Sequence, residues 1–392
     1  MDIAEIEHRS DISAEEFAQN HLRANRPVVL GAGFTENWRS RREWVDGGRP
    51  NFARLRELYG DAVVAVAHCD TPHLSDQKRT EMRMSDFLDR WQASSSSSVE
   101  EKLYCKDFHL SKHAYNAYEV PAPLSDDWLD LFYSQHPELN DDYQFCYMGG
   151  DGTWTPFHRD VYWSYSWSAN ICGTKRWILV PPGQEPLFTD ALNNTVYNLL
   201  DYDNTQFPRL NELHTLEVVQ RAGEIVFVPS GWWHQVHNIG DTVSINRNWA
   251  NEYNLPVVHA HLRSAIADVF HAFRDLAHLD DFPAIAQQAL RANSAIDYAW
   301  FFDFLSSIAH IYLRALAAPA SPSPLTRFAP FFSSPLSIVH ALRCVSDSLD
   351  LLLHDDVTHT VDGLADKVAR LHREVETATA AHHGDKTPRE ER

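Results

Sequence analysis

The sequence predicts a mainly β core of jelly-roll or barrel type, with α/β elements before it and an all-helical region after it. Three observations predict this. From about Asp142 to Trp249, short apolar runs are punctuated by Gly, Pro, Asn and Asp, a pattern that suits many short strands rather than βαβ units. The preceding residues mix strand and helix signals. From about Leu255 the chain turns Ala- and Leu-rich with helical spacing. The expected partition is 1–141, 142–252 and 253–392.

Within the first region, Arg26-Pro27-Val28-Val29-Leu30 reads as a short buried strand and Val63 to Ala67 as a second, by its β-branched run. Met84 to Trp91 reads as a helix with Ser85 as N-cap and Asp86 in its first turn. Ser94 to Ser98 form a low-complexity loop. The strand candidates of the core are Tyr143–Met148, Lys175–Val180, Leu213–Val219, Glu224–Val228 and Thr242–Asn248. Helices are predicted over 258–278, 282–293, 296–317, 335–354 and 360–380. The Pro/Ser segment Pro319 to Pro324 interrupts them, and the charged tail from His382 frays. Phe270, Phe273, Leu276 and Leu279 recur every three residues and predict one helix face.

Composition narrows the function classes. The chain has 392 residues, 44% of them hydrophobic and 12% aromatic, enough for a large ordered core. A formal net charge of −20 argues against gripping phosphate backbones and favours a basic protein partner. Cys69, Cys105, Cys146, Cys172 and Cys344 form no CxxC pair, so a structural zinc module is not expected. The sparse cysteines and the lack of a signal-peptide pattern predict a reducing compartment, the cytoplasm first and the nucleus second. No apolar run approaches the ~20 residues of a membrane span.

The chemistry concentrates around one His-x-Asp pair. Such pairs occur at His68/Asp70, His158/Asp160, His278/Asp280, His354/Asp356 and His383/Asp385, so the spacing alone selects nothing. In helical territory residues i and i+2 diverge, which disfavours the pairs at 278 and 354. The pair at 383 lies in the tail. On a strand residues i and i+2 point the same way, which leaves His68/Asp70 and His158/Asp160. The second is set apart by its context. It ends the run Thr153-Trp154-Thr155-Pro156-Phe157-His158-Arg159-Asp160, and Lys175 follows seventeen residues after His158, opening a strand. Then Gly223-Glu224-Ile225-Val226-Phe227-Val228-Pro229-Ser230-Gly231-Trp232-Trp233-His234 supplies a strand, a tight turn and a second histidine. Two His and one carboxylate are the facial ligand set of non-haem iron(II) oxygenases. The same three ligands also bind Zn²⁺, so a zinc hydrolase is a chemical alternative.

These segments resemble the JmjC family of 2-oxoglutarate oxygenases from about Pro27 to Trp249. Trp154 to Asp160, Ser164-Tyr165-Ser166-Trp167-Ser168, Cys172-Gly173, Trp177 and Pro181 to Glu185 are similar to the pattern of the jumonji-domain-containing protein 4 group. Leu103 to Leu110 resembles its upstream motif, with Phe108 where Trp is more common. The resemblance implies a cupin-like double-stranded β-helix, with Fe(2+) held by His158, Asp160 and His234. It implies 2-oxoglutarate and O2 as co-substrates, Lys175 and Thr155 on the distal carboxylate of 2-oxoglutarate, and Asn246 nearby. Ser166 and Ser168 stand where relatives often place Asn. The chemistry agrees: chelation of iron by the keto-acid end leaves a second carboxylate about 5 Å deeper. A buried carboxylate needs a cation and hydrogen-bond donors. Tyr147, Tyr162 and Trp163 are candidates to line the substrate channel. His214 and His237 are expected to be structural or exposed.

The function expected from this resemblance is protein hydroxylation at a lysine side chain, with the Asn-Ile-Lys-Ser motif of the eukaryotic translation termination factor as the candidate target. Histone lysine demethylation uses the same oxygen chemistry, but the Cys/His reader modules common in such enzymes are not visible here. A non-catalytic jelly-roll binding module would predict loss of a ligand or of Lys175, and all four are present.

Overall fold

The computed structural model describes residues 5–94, 101–113, 115–317 and 335–382. Ser95 to Ser98, the Pro/Ser segment at 319–324 and the tail from 383, including His383/Asp385, lie outside the described residues. The chain divides into two units by its contacts. One comprises Met1–Leu124, Asp142–Asp160 and Ser164–Asn248; the other comprises Ser125–Asp141, Val161–Trp163 and Trp249–Arg392.

The first unit is built on strands. In chain order they are β1 (Glu7–Arg9), β2 (Val28–Leu30), β3 (Val45–Asp46), β4 (Arg49–Pro50), β5 (Val63–His73), β6 (Asp76–Arg83) and β7 (Leu103–His109). Then follow β8 (Gln144–Gly149), β9 (Trp154–Arg159), β10 (Tyr165–Val180), β11 (Leu216–Gln220), β12 (Ile225–Val228) and β13 (Trp233–Trp249). Among the described residues one sheet runs β1-β2-β12-β10-β13-β8-β7-β5-β6, with β11 also on β10 and β9 also on β13. Among the described residues, β3 pairs only with β4. Apart from the parallel pair β1/β2, the described registers are antiparallel. This is the expected cupin-like, mainly β core.

The core strands are apolar where both faces are covered. All four residues of β12 are buried, and Val226 and Val228 pack with Val29, Trp177 and Leu179. Each predicted strand is present, and several are longer than their apolar runs. The run Lys175–Val180 is only the second half of β10, and Thr242–Asn248 lies within β13. Their other halves carry Ser, Asn, His and Gln, which mask the β signal. The strands β1, β3, β4, β6 and β7 were not predicted, and β9 only as the strand context of His158. The strand β6 reads Asp-Gln-Lys-Arg-Thr-Glu-Met-Arg and is recruited by hairpin pairing with β5, against its polar composition.

The second unit is helical. Its longer helices are Trp128–Gln135, Leu255–Ala272, Phe282–Ser294, Tyr298–Ala317, Pro335–Leu353 and Leu364–Ala381, the last five close to the expected spans. Phe301, Leu305, Ile308 and Tyr312 share a buried stripe of one helix at the spacing of an amphipathic helix. Two expectations need correction. The Phe270 to Leu279 stripe is not one helix face, because the helix ends at Ala272 and a 3-10 turn covers Arg274–Leu276. Ser85 is not an N-cap, because the helix Met84–Ser94 already includes it. No described helix is long and apolar enough to cross a membrane.

Asp355 ties the helices together. Its buried carboxylate accepts from the Tyr298 hydroxyl at 2.8 Å and lies 3.3 Å from His259 Nε2 and 3.6 Å from Arg263 Nε. Removing one member of a buried polar cluster strands the others. Asp355→Ala is therefore expected to destabilise the chain by about 3 kcal/mol and to lower Tm by ~6–12 °C. A differential scanning calorimetry trace unchanged from wild type would contradict this.

A His-Asp-His centre beside a buried lysine

The metal-ligating types converge at the meeting of β9, β10 and β13. In the register of β9 and β13, His158 stands directly opposite His234, and their ring centroids are 4.2 Å apart. Asp160 follows the end of β9, and its Oδ2 lies 4.0 Å from His234 Nε2. One donor atom from each of the three residues lies within 4.8 Å of the others. Two imidazoles and a carboxylate so placed form a set that can hold a divalent metal ion. Burial, and secondarily the neighbouring His158, hold the His234 imidazole well below its usual range. A neutral imidazole keeps the lone pair a metal needs. The Nδ1 of His158 meets the Pro156 carbonyl at 2.8 Å, which leaves Nε2 for a metal. The competing pair did not assemble: His68 bonds Thr80 at 2.9 Å, and Asp70 is largely exposed, 3.9 Å from Lys102.

Local backbone irregularities aim these side chains. The β9/β13 register shifts between His234 and Val236. Pro156, which has no N–H to give the ladder, lies at that bulge, and the Phe157 N–H turns away to the Tyr197 carbonyl at 3.1 Å. Three residues apart on a regular strand, Thr155 and His158 would face opposite sides; with the bulge both line one cleft. A second reset occurs in β10. Gly173 has φ +76°, and a Cβ there would meet the Asp241 carbonyl oxygen at 2.3 Å. The odd-numbered Lys175 thereby joins the even-numbered Ser166 and Ser168 along the same cleft. The turn that delivers His234 is clamped by Asn25, whose carboxamide bonds both the N–H and the carbonyl of Ser230 at 3.0 and 2.9 Å.

The cleft is lined by Tyr104, Thr155, His158, Asp160, Lys175 and His234, among others. Lys175 is its most unusual component. The side chain is 1% exposed, and among the described residues its Nζ hydrogen-bonds only the Tyr104 hydroxyl, at 3.1 Å. Burial brings its pKa down to about 7, against small opposing effects of the Cys146 and Cys172 thiols. Ser168 Oγ is buried beside the cleft with no hydrogen-bond partner. A buried cation without a carboxylate and a hydroxyl without an acceptor are incomplete in the same place. A carboxylate-bearing ligand would complete both.

Of the other expected residues, Thr155, Asn246 and Tyr147 line the cleft. Asn246 donates to Ser244 Oγ at 3.1 Å. The Tyr147 hydroxyl donates to Asp107 Oδ1 at 2.7 Å. Tyr162 and Trp163 do not line it. Both have left-handed φ and belong to the helical unit, where Tyr162 stacks on Trp300 at 4.9 Å and Trp163 on His261 at 4.6 Å. His237 stacks on Trp154 and bonds Gln235 Nε2 at 2.8 Å, while His214 is exposed. Tyr104 is a cleft residue that the sequence reading named only within a motif. Nothing in the strand Leu103–His109 marks its hydroxyl as the partner of a lysine seventy-one positions away.

This fold and site define a cupin-like protein with a candidate His-Asp-His metal centre, and the cupin-like domain family matches residues 13–255. The chain belongs to that family and, within it, to the JmjC oxygenases of the JMJD4 group. It is 43% identical to the arginine-specific demethylase JMJ20 of Arabidopsis thaliana over 316 residues, covering 76% of this chain and 68% of that one. It is 38% identical to the 2-oxoglutarate and iron-dependent oxygenase JMJD4 of Gallus gallus, over 78% of this chain and 74% of the relative. It is also 38% identical to JMJD4 of Homo sapiens, over 81% and 79%.

Proposed function

We propose that this chain is an iron(II)- and 2-oxoglutarate-dependent oxygenase that hydroxylates a protein substrate at a lysine side chain. The observation that carries the reading is Lys175, a buried cation without a carboxylate partner lining the same cleft as His158, Asp160 and His234. In this reading the two histidines and Asp160 hold iron(II). Lys175 receives the distal carboxylate of 2-oxoglutarate, with Thr155 as hydrogen-bond donor and Asn246 close by. Iron(II) supplies the oxidising chemistry when bound: substrate, O2 and 2-oxoglutarate give hydroxylated substrate, succinate and CO2. The protein orients the reactants and keeps water out. Tyr147, at the cleft wall, would flank the incoming side chain.

In this reading the target is the lysine of the Asn-Ile-Lys-Ser motif in the eukaryotic translation termination factor, met in the cytoplasm; the chain's acidic balance suits a basic target without identifying it. Incubation with that factor, iron(II) and 2-oxoglutarate is expected to add one oxygen atom to the motif lysine. Peptide mass spectrometry that finds the lysine unmodified, while succinate still forms above a His158→Ala control, would remove this substrate and keep the oxygenase. A second reading is favoured by the name of the 43% identical relative, an arginine-specific demethylase. Formaldehyde release from methylarginine peptides, without oxygen added to lysine, would select it.

A further inference from the structure

We propose that Ser166 is a positioning residue for Asp160, fixing the orientation of the one anionic donor in the metal-binding group; the inference rests on the metal-centre reading above. The Ser166 hydroxyl donates to Asp160 Oδ2 at 2.6 Å, within the short range of O–H to carboxylate bonds. Asp160 needs such a partner. It lies just past the end of β9, outside the ladder that holds His158 opposite His234. Ser166, by contrast, is inside β10, paired in register with Val228 of the fully buried β12. The hydrogen bond therefore anchors a carboxylate on a chain turn to the rigid sheet.

The partner's chemistry fits the role. A carboxylate has about four lone-pair sites, so one hydroxyl bond leaves capacity for a metal. A neutral donor keeps the full negative charge on Asp160, whereas a lysine or arginine in its place would compete with the cation. His158 has its own outer partner in the Pro156 carbonyl. Ser166 gives Asp160 the equivalent support from a side chain. Outer partners of metal ligands typically account for about 10–100-fold in metal affinity.

Co(II) binding to the metal-free, full-length protein tests this, read by calorimetric titration and by the visible d–d absorption. Ser166→Ala is expected to weaken Co(II) about 10–100-fold and to shift the d–d bands, with the metal-free melting temperature unchanged. Ser166→Thr keeps the hydroxyl on a side chain suited to strands and is expected to bind within about threefold of wild type. Wild-type affinity and bands in Ser166→Ala would overturn the inference, as would an equal loss in both variants, which would assign the effect to packing. A wild-type protein that takes up no Co(II) overturns the metal-centre reading and this inference with it. Normal wild-type uptake with an unaffected Ser166→Ala overturns this inference alone.

Discussion

Replacing Asp160 by alanine is expected to abolish metal binding at the cleft and to lower succinate formation by on the order of 10³-fold or more, beyond the loss typical of an outer partner. The reason is charge as much as geometry. The other two donors are imidazoles, and burial keeps His234 neutral. Asp160 is thus the only negative charge in the three-residue group. Without it, a divalent ion would enter a partly buried site with no counter-charge from its own ligands. Asp160→Glu preserves the charge but lengthens the arm by one methylene, so it should retain weak binding with altered coordination. Metal content after anaerobic loading, with succinate measured on the same samples, checks both. An alanine variant that retains stoichiometric metal would show that the centre lies elsewhere. The His158→Ala and His234→Ala variants should behave alike, since the register places the two rings opposite each other.

Much of this site was legible in the sequence because its parts are local. His158 stands on a strand with Asp160 just past its end, and Gly231 marks the turn before His234. Lys175 opens an apolar run that could only be a strand. What was not legible depends on register and on parity breaks. Pro156 reads in the sequence only as part of the run before His158, yet it occupies a bulge inside the β9 pairing that swings Thr155 to the side of His158. Gly173 reads only as part of the Cys172-Gly173 motif, yet it lies within the continuous β10 and resets the alternation before Lys175. Asn25, Tyr104 and Ser166 support the turn, the lysine and the carboxylate from other strands or distant loops, and their residue types carry no signal of it. The aromatic pair Tyr162-Trp163 shows the opposite error. Proximity in sequence to His158 suggested the cleft, but left-handed φ at both residues turns them to partners on the helices.

Replacing Lys175 by methionine is expected to make the ligand-free protein more stable and to weaken its binding of 2-oxoglutarate. Methionine fills a similar length without charge. Removing a buried, unpaired cation should raise Tm by roughly 2–8 °C. The pH dependence should change with it. The folded-state pKa of Lys175 is about 7, while an unfolded lysine titrates near ~10.4. Between these values the unfolded chain holds a proton the folded chain lacks, so wild-type stability rises with pH across that window. This contribution should vanish in the variant. Binding gives the mirror image. The cationic form of Lys175 receives the carboxylate, so above about pH 7 the ligand must bring a proton with it, and affinity should fall by up to about tenfold per pH unit. In Lys175→Met the loss of a charge-assisted hydrogen bond should weaken 2-oxoglutarate about 10–100-fold at pH 7. Anaerobic calorimetry of the Mn(II)-loaded protein in buffers of different ionisation enthalpy measures both affinity and proton uptake. Lower stability in the variant, or undiminished 2-oxoglutarate affinity, would mean that Lys175 serves the fold. Higher stability with weakened binding is the mark of a residue that destabilises the empty protein and is retained for its ligand.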